Sequence, residues 1–254
     1  MKLRSSARAA AASLLAVVTA ILAQLSIRMG PVPYTMQNAG LILSGLLLPP
    51  RWALTSQLLY LAMIALVAPA AAGFRGGLSV LLGPTGGYLA GFPIAALLMS
   101  FLREWYLRGT GKRLAKLGAR DLAVLWLLSA LSVTPVYVLG FLVFSYWASL
   151  DPSLLAWTLS VAGWLGLASD VRLAVAIASA LILLPQDLLM DHVLALVVAQ
   201  RVARALPSEY RILAGEKWPA WAFMTARSIW PASYLSVSLE AGGKRYLMPL
   251  VSAW

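Results

Sequence analysis

Asp187 and Asp191 stand four residues apart in an otherwise apolar run, a spacing that puts both carboxylates on one face of a helix. A carboxylate inside or at the lip of a membrane span is costly and normally faces a partner, a cavity or a ligand. The pair can accept hydrogen bonds from a ligand, bind a cation or relay a proton; an interface pair helped by His192 is the plainer alternative. Gly83-Pro84-Thr85-Gly86-Gly87-Tyr88 reads as a turn feeding a helix. Such a turn offers backbone N–H groups, a hydroxyl and a phenol to anionic or hydrogen-bonding ligand groups, or it simply caps the helix. It lacks the lysine and the spacing of a P-loop. Pro31 to Asn38 adds hydrogen-bonding side chains, Thr35 and Gln37 among them, where two apolar runs meet. Ala12, Ala16 and Ala20 recur every fourth residue, forming a strip along which another helix can approach closely, from this chain or from a partner.

These residues need a membrane bundle to position them. The 254 residues are 61% hydrophobic and only 11% charged, with a mean hydropathy of +0.82, whereas about a quarter of an ordinary soluble domain is charged. The formal charge of +11 is the mark of topology and anionic lipid, not of nucleic acid. With no cysteine and one histidine, disulfide frameworks, thiolate chemistry and multi-histidine zinc sites are excluded.

Apolar stretches at 9–27, 39–48, 52–68, 83–102, 121–147 and 186–206 predict six transmembrane helices, each near the roughly 20 residues a bilayer requires, although the second is short unless it starts near Tyr34. The first resembles a signal peptide but is long enough to span, so no cleavage is expected. Six spans with both termini cytoplasmic leave only Arg28, Arg75 and Arg172 outside, with Arg103 to Arg120 and Arg201 to Arg211 inside, as the positive-inside rule requires. Residues 151–184 are then an apolar outer cover or re-entrant piece, and Pro185 starts the last helix. The expected architecture is an all-α membrane domain over 1–206 and a cytoplasmic or interfacial extension over 207–254. In the extension, 234–239 and 245–251 suggest a hairpin, while Trp218, Trp221 and Trp230 suit an interface anchor.

Val32-Pro33-Tyr34-Thr35-Met36-Gln37 and Gly83-Pro84-Thr85-Gly86-Gly87-Tyr88-Leu89, with Tyr60-Leu61 and Pro69 in register between them, resemble the BioY family, the biotin-binding S-components of energy-coupling factor transporters. Tyr137, Gly140, Pro185 and Asp187 extend the likeness, which covers about 9–204. Gln186 and Met190 stand where the family usually has glycine and lysine, and Ile64, Val67 and Ala71 replace two glycines and a phenylalanine. The resemblance implies a six-helix subunit that binds biotin from outside and docks on a transmembrane T-component through the first-helix alanines Ala12, Ala16 and Ala20. Two partner ATPases use the ATP, and the chain itself carries no cofactor. It implies Thr35, Gln37, Thr85, Gly86, Gly87, Tyr88 and Asp187 as biotin-binding residues. Since Met190 cannot pair with the ligand's acid, Arg75, one of the few outer cations, is expected to do so. The competing expectations are an S-component for another vitamin or precursor, a membrane enzyme using Asp187 and Asp191, and a non-transporting membrane protein.

Overall fold

Proline, glycine and aspartate divide the apolar sequence into helices in the computed structural model, which describes residues 2–28, 32–66, 68–166, 170–181, 183–206, 236–241 and 244–249. Helix α1 (Lys2–Gln24) leads into a short antiparallel pair, β1 (Ser26–Arg28) and β2 (Pro33–Thr35). Helices α2 (Gln37–Leu47) and α3 (Pro50–Ala65) meet at Pro49-Pro50, where Pro50 takes the first turn of α3 and its missing N–H costs nothing. After the short α4 (Leu78–Leu82), α5 (Gly86–Thr110) runs until Gly111 adopts a left-handed conformation. Helices α6 (Ala119–Ser132) and α7 (Thr134–Leu150) are separated at Val133, with Pro135 in the first turn of α7.

The side chains of Asp151 and Asp170 accept backbone N–H bonds at the starts of α8 (Pro152–Trp164) and α9 (Val171–Ala176). Wider π-turns at Ile177–Leu181 and Asp187–Asp191 flank the short α10 (Leu184–Gln186), and α11 (His192–Ala205) follows.

Helix α5 is the centre of the bundle, with α2, α3 and α7 against it; α1 packs on α2 and α3, and α11 on α2. One apolar core joins them, including Ala12, Leu41, Ile42, Phe92, Met99 and Leu196. A smaller cluster of Phe144, Leu154 and Val175 fixes α8 and α9 to α7.

Among the described residues, four helical stretches are long and apolar enough to cross a membrane: Ser5–Gln24, Gly86–Thr110, Ala119–Leu150 and Val171–Ala205. The expectation of six is therefore not met by helix length. The second and third expected spans appear as α2, with 11 residues, and α3, with 16; at 1.5 Å per residue they reach about 16 and 24 Å against a core of roughly 30 Å. The last apolar helical stretch begins at Val171, ahead of the expected Gln186, because the two π-turns carry it past Pro185.

The chain divides into two compact units, Met1–Ala214 and Gly215–Trp254. In the second, β3 (Ser236–Ala241) pairs antiparallel with β4 (Lys244–Pro249), Ala241 opposite Lys244. A hairpin is the expectation here, but β3 runs two residues past the expected 239 and β4 starts one residue before the expected 245. Trp218, Trp221 and Trp230 lie outside the described residues.

Candidate ligand site

At the end of the bundle where α2 and α5 begin, a cavity takes in about 670 Å³ of empty space, its open mouth included. Six segments build it, α4 among them through Val80. Residues 32–38 supply Tyr34, Thr35 and Gln37; the loop after α3 supplies Ala71, Ala72 and Arg75; α5 supplies Tyr88, Leu89 and Phe92, with Thr85 just before it. Helix α7 contributes Val136 and Tyr137, and 183–187 contributes Leu183, Gln186 and Asp187. Apolar walls with a few convergent polar groups are the usual form of a small-molecule site.

Asp187 is its most informative wall. The residue is 3% exposed. Oδ2 accepts the Tyr137 hydroxyl at 2.7 Å, and His192 Nε2 stands 3.4 Å from it. Oδ1 is buried with no hydrogen-bond partner among the described residues. A buried carboxylate oxygen without a donor is expensive, so a ligand N–H here gains more than it would at a satisfied group. His192 is itself oriented by Ser129, with Oγ and Nδ1 2.7 Å apart.

Asp191 has a different task. It is fully buried; Oδ1 accepts Gln186 Nε2 at 2.8 Å and Oδ2 accepts the Ala39 N–H at 3.2 Å. It satisfies the N-terminal end of α2, where free N–H groups favour negative charge, and it is absent from the cavity wall. The acid–base pairing of Asp187 with Asp191 is therefore not what the geometry builds.

Thr35 and Gln37 belong to a chain of polar contacts. The Thr35 hydroxyl donates to Gln37 Oε1 at 3.1 Å, Gln37 Nε2 donates to the Tyr60 hydroxyl at 2.6 Å, and Tyr60 donates to the Ala70 carbonyl at 3.1 Å. The chain ties β2 and α2 to the loop after α3 and leaves Gln37 one N–H and one lone pair for a ligand. Burial raises the affinity of the Tyr34 phenol for its proton, so this wall stays neutral.

Arg75 lies exposed at the mouth, its Nε donating to the Ala72 carbonyl at 3.1 Å. Its loop is closed by paired backbone bonds between Ala71 and Arg75, and Gln24 holds it from α1 by accepting the Phe74 N–H at 2.9 Å and donating to the Ala71 carbonyl at 3.1 Å.

Six of the eight expected site residues thus meet in one cavity: Thr35, Gln37, Arg75, Thr85, Tyr88 and Asp187. Gly86 and Gly87 do not line it. A Cβ on Gly86 would run into the Leu81 carbonyl, and one on Gly87 into the Leu139 carbonyl, so these glycines let α5 approach α4 and α7 closely. Thr85 precedes α5 without capping it through its side chain. Tyr88 is fixed by its hydroxyl on the Ser179 carbonyl at 2.6 Å, and its ring covers Gly140, where a Cβ would collide with it. The alanine strip also lies elsewhere than expected for docking: Ala12, Ala16 and Ala20 are 0, 1 and 9% exposed inside the chain's own core.

Sequence reasoning missed Tyr137 and Gln24 as site builders. An aromatic hydroxyl in a nearly charge-free run was the available signal for Tyr137; nothing local marks Gln24. No group of three or more His, Asp or Glu side chains able to hold a metal occurs among the described residues.

A helical membrane bundle with a part-polar cavity among its helix ends defines a small-molecule-binding membrane protein. Its fold is that of an S-component: a solved S-component for biotin from an ECF-type ABC transporter matches with a TM-score of 0.62 at 22% identity, over 82% of this chain and 97% of that one. The chain belongs to the BioY family, whose pattern matches residues 1–208. A probable biotin transporter BioY of Pyrococcus horikoshii is 36% identical over 51% of this chain and 69% of its own. The biotin transporter BioY of Thermotoga maritima is 40% identical over 34% of this chain and 54% of its own. The protein is accordingly a multi-pass membrane protein.

Proposed function

We propose that this chain is the biotin-capturing S-component of an energy-coupling factor transporter. One observation carries the choice of ligand group: the buried, donor-seeking Oδ1 of Asp187 in the cavity wall. Biotin's ureido ring presents N–H donors to such an oxygen, a bond strengthened by the carboxylate's charge. Thr35, Thr85 and Gln37 hydrogen-bond its oxygens, Tyr88 and Phe92 enclose its apolar ring, and Arg75 at the mouth pairs with its acid. Gly86 and Gly87 act on binding only through the packing of α5.

The chain holds no ATP-using machinery in this reading, so transport requires a T-component and two ATPase subunits. The cavity end faces outward and both termini are cytoplasmic, in keeping with the basic groups Arg103, Arg108, Lys112 and Arg120 gathered around the far end of α5. The chain crosses the membrane six times, with α2 and α3 as the short second and third crossings.

Calorimetry on detergent-purified protein tests the reading. Wild type is expected to bind biotin, and Asp187→Asn to lose roughly 10–100-fold in affinity, the scale of one hydrogen bond to a charged group. Folded wild type that fails to bind biotin would overturn the assignment.

A further inference from the structure

A second cavity, with about 680 Å³ of empty space including its open mouth, adjoins the first. Leu25, Ile27, Met36 and Met190 are its apolar half, Ser26 adds a hydroxyl, and it shares Tyr34, Thr35 and Gln186 with the polar cavity. The two spaces are therefore neighbours across a wall of three side chains. Their chemistry differs. Among the described residues no charged side chain lines the second, and its surface is almost wholly apolar. Leu25, Ile27 and Met190 are each more than half exposed, so the space is open at the surface where β1 and the π-turn at Asp187–Asp191 wall it.

We infer that this annex is a tail subsite, taking an uncharged alkyl chain attached to a ligand whose polar head sits against Asp187. The inference rests on the reading of the polar cavity as a biotin site, and the ligand class it adds is the N-alkyl amides of biotin. Three features support it. The three shared side chains place the two spaces side by side, so a tail has only their width to cross. The uncharged lining suits methylene groups and penalises a carboxylate, which keeps free acid at Arg75 and away from the annex. The open side gives a longer tail an exit, so length is not limited by the volume of the space. Each methylene taken fully from water strengthens binding by about fourfold.

The test uses the full chain in detergent and calorimetry with biotin, its primary amide, and its N-propyl and N-hexyl amides. Affinity is expected to rise along the amides, the hexyl compound binding at least roughly tenfold tighter than the primary amide. Met190→Trp fills the annex from an exposed position and should abolish that gain while changing primary-amide binding by less than about twofold. The chain has no cysteine, so Met190→Cys introduces a single thiol; the hexyl amide should slow its maleimide labelling and the primary amide should not. Affinity that is flat or falls with tail length would overturn the subsite, as would a gain that survives Met190→Trp. Thiol protection by added phospholipid, with no dependence on tail length, would assign the annex to a lipid chain and also overturn it. Failure of biotin and all its amides to bind folded protein would instead sink the biotin reading, and the subsite with it.

Discussion

Asp187 and Asp191 are the same residue one helical turn apart, yet their surroundings give them different work. Asp191 has both oxygens occupied, by Gln186 and by the start of α2; Asp187 has one oxygen held by Tyr137 and one without a donor. The Tyr137 bond fixes which way the free oxygen points. Tyr137→Phe should therefore weaken biotin binding by roughly tenfold and, because it leaves the second buried oxygen of Asp187 without a donor, lower the melting temperature by about 2–10 °C. Calorimetry and a thermal melt of the same sample check both halves; unchanged affinity would show that Asp187 needs no orienting partner. The sequence made Asp187 conspicuous, because a carboxylate among apolar residues demands a reason. It could not rank the two aspartates, since the Ala39 N–H that occupies Asp191 comes from 152 residues away.

At the scale of elements, small residues decide how near the helices come. Ala16 is 1% exposed in the core shared by α1, α2 and α3, and Thr19, a turn further on, is met by Gly40 of α2, where a Cβ would lie 2.5 Å from the Thr19 hydroxyl oxygen. Ala16→Leu should overpack this contact and cost about 1–3 kcal/mol, lowering the melting temperature of the isolated subunit. An unchanged melt with lost T-component co-purification would return the strip to docking.

Helix α8 depends on Asp151, whose Oδ1 accepts the Ser153 hydroxyl at 2.7 Å and the Ser153 N–H at 2.8 Å. These bonds, with one from the Leu154 N–H, hold its carboxyl below the usual carboxylate range. The cap therefore acts fully above the unfolded value of about 3.9 and is lost as pH falls through the lower folded value. At neutral pH, Asp151→Ala is expected to speed hydrogen exchange at the first α8 amides; exchange equal to wild type would show the cap to be idle. The alanine spacing was legible along the chain, but the facing helix was not, because an i, i+4 strip looks the same against α2 as against another protein.

At the scale of the whole molecule, the site and the basic end are held by different means. Around the cavity, side chains reach across segments: Gln24 to the loop after α3, Tyr88 to Ser179, and Trp126 to the Leu188 carbonyl at 2.8 Å. At the far end Arg103, 1% exposed, donates to the Leu46 carbonyl at 2.6 Å and closes the α2–α3 corner. The residues that line the cavity all belong to the first unit, Met1–Ala214. A chain ending at Leu206 is expected to bind biotin within about twofold of the full chain; a tenfold loss would give the extension a part in the site. By itself the sequence determined a membrane-embedded helical protein, its family likeness and most of its polar site residues, because hydropathy and local motifs are written along the chain. Only the tertiary structure decided that α2 and α3 are short, that the alanine strip faces inward, that Gly86 and Gly87 serve packing, and that Asp187 keeps an oxygen free. Each of those depends on which atoms of distant segments come within van der Waals or hydrogen-bond reach, and residue spacing alone carries no record of that.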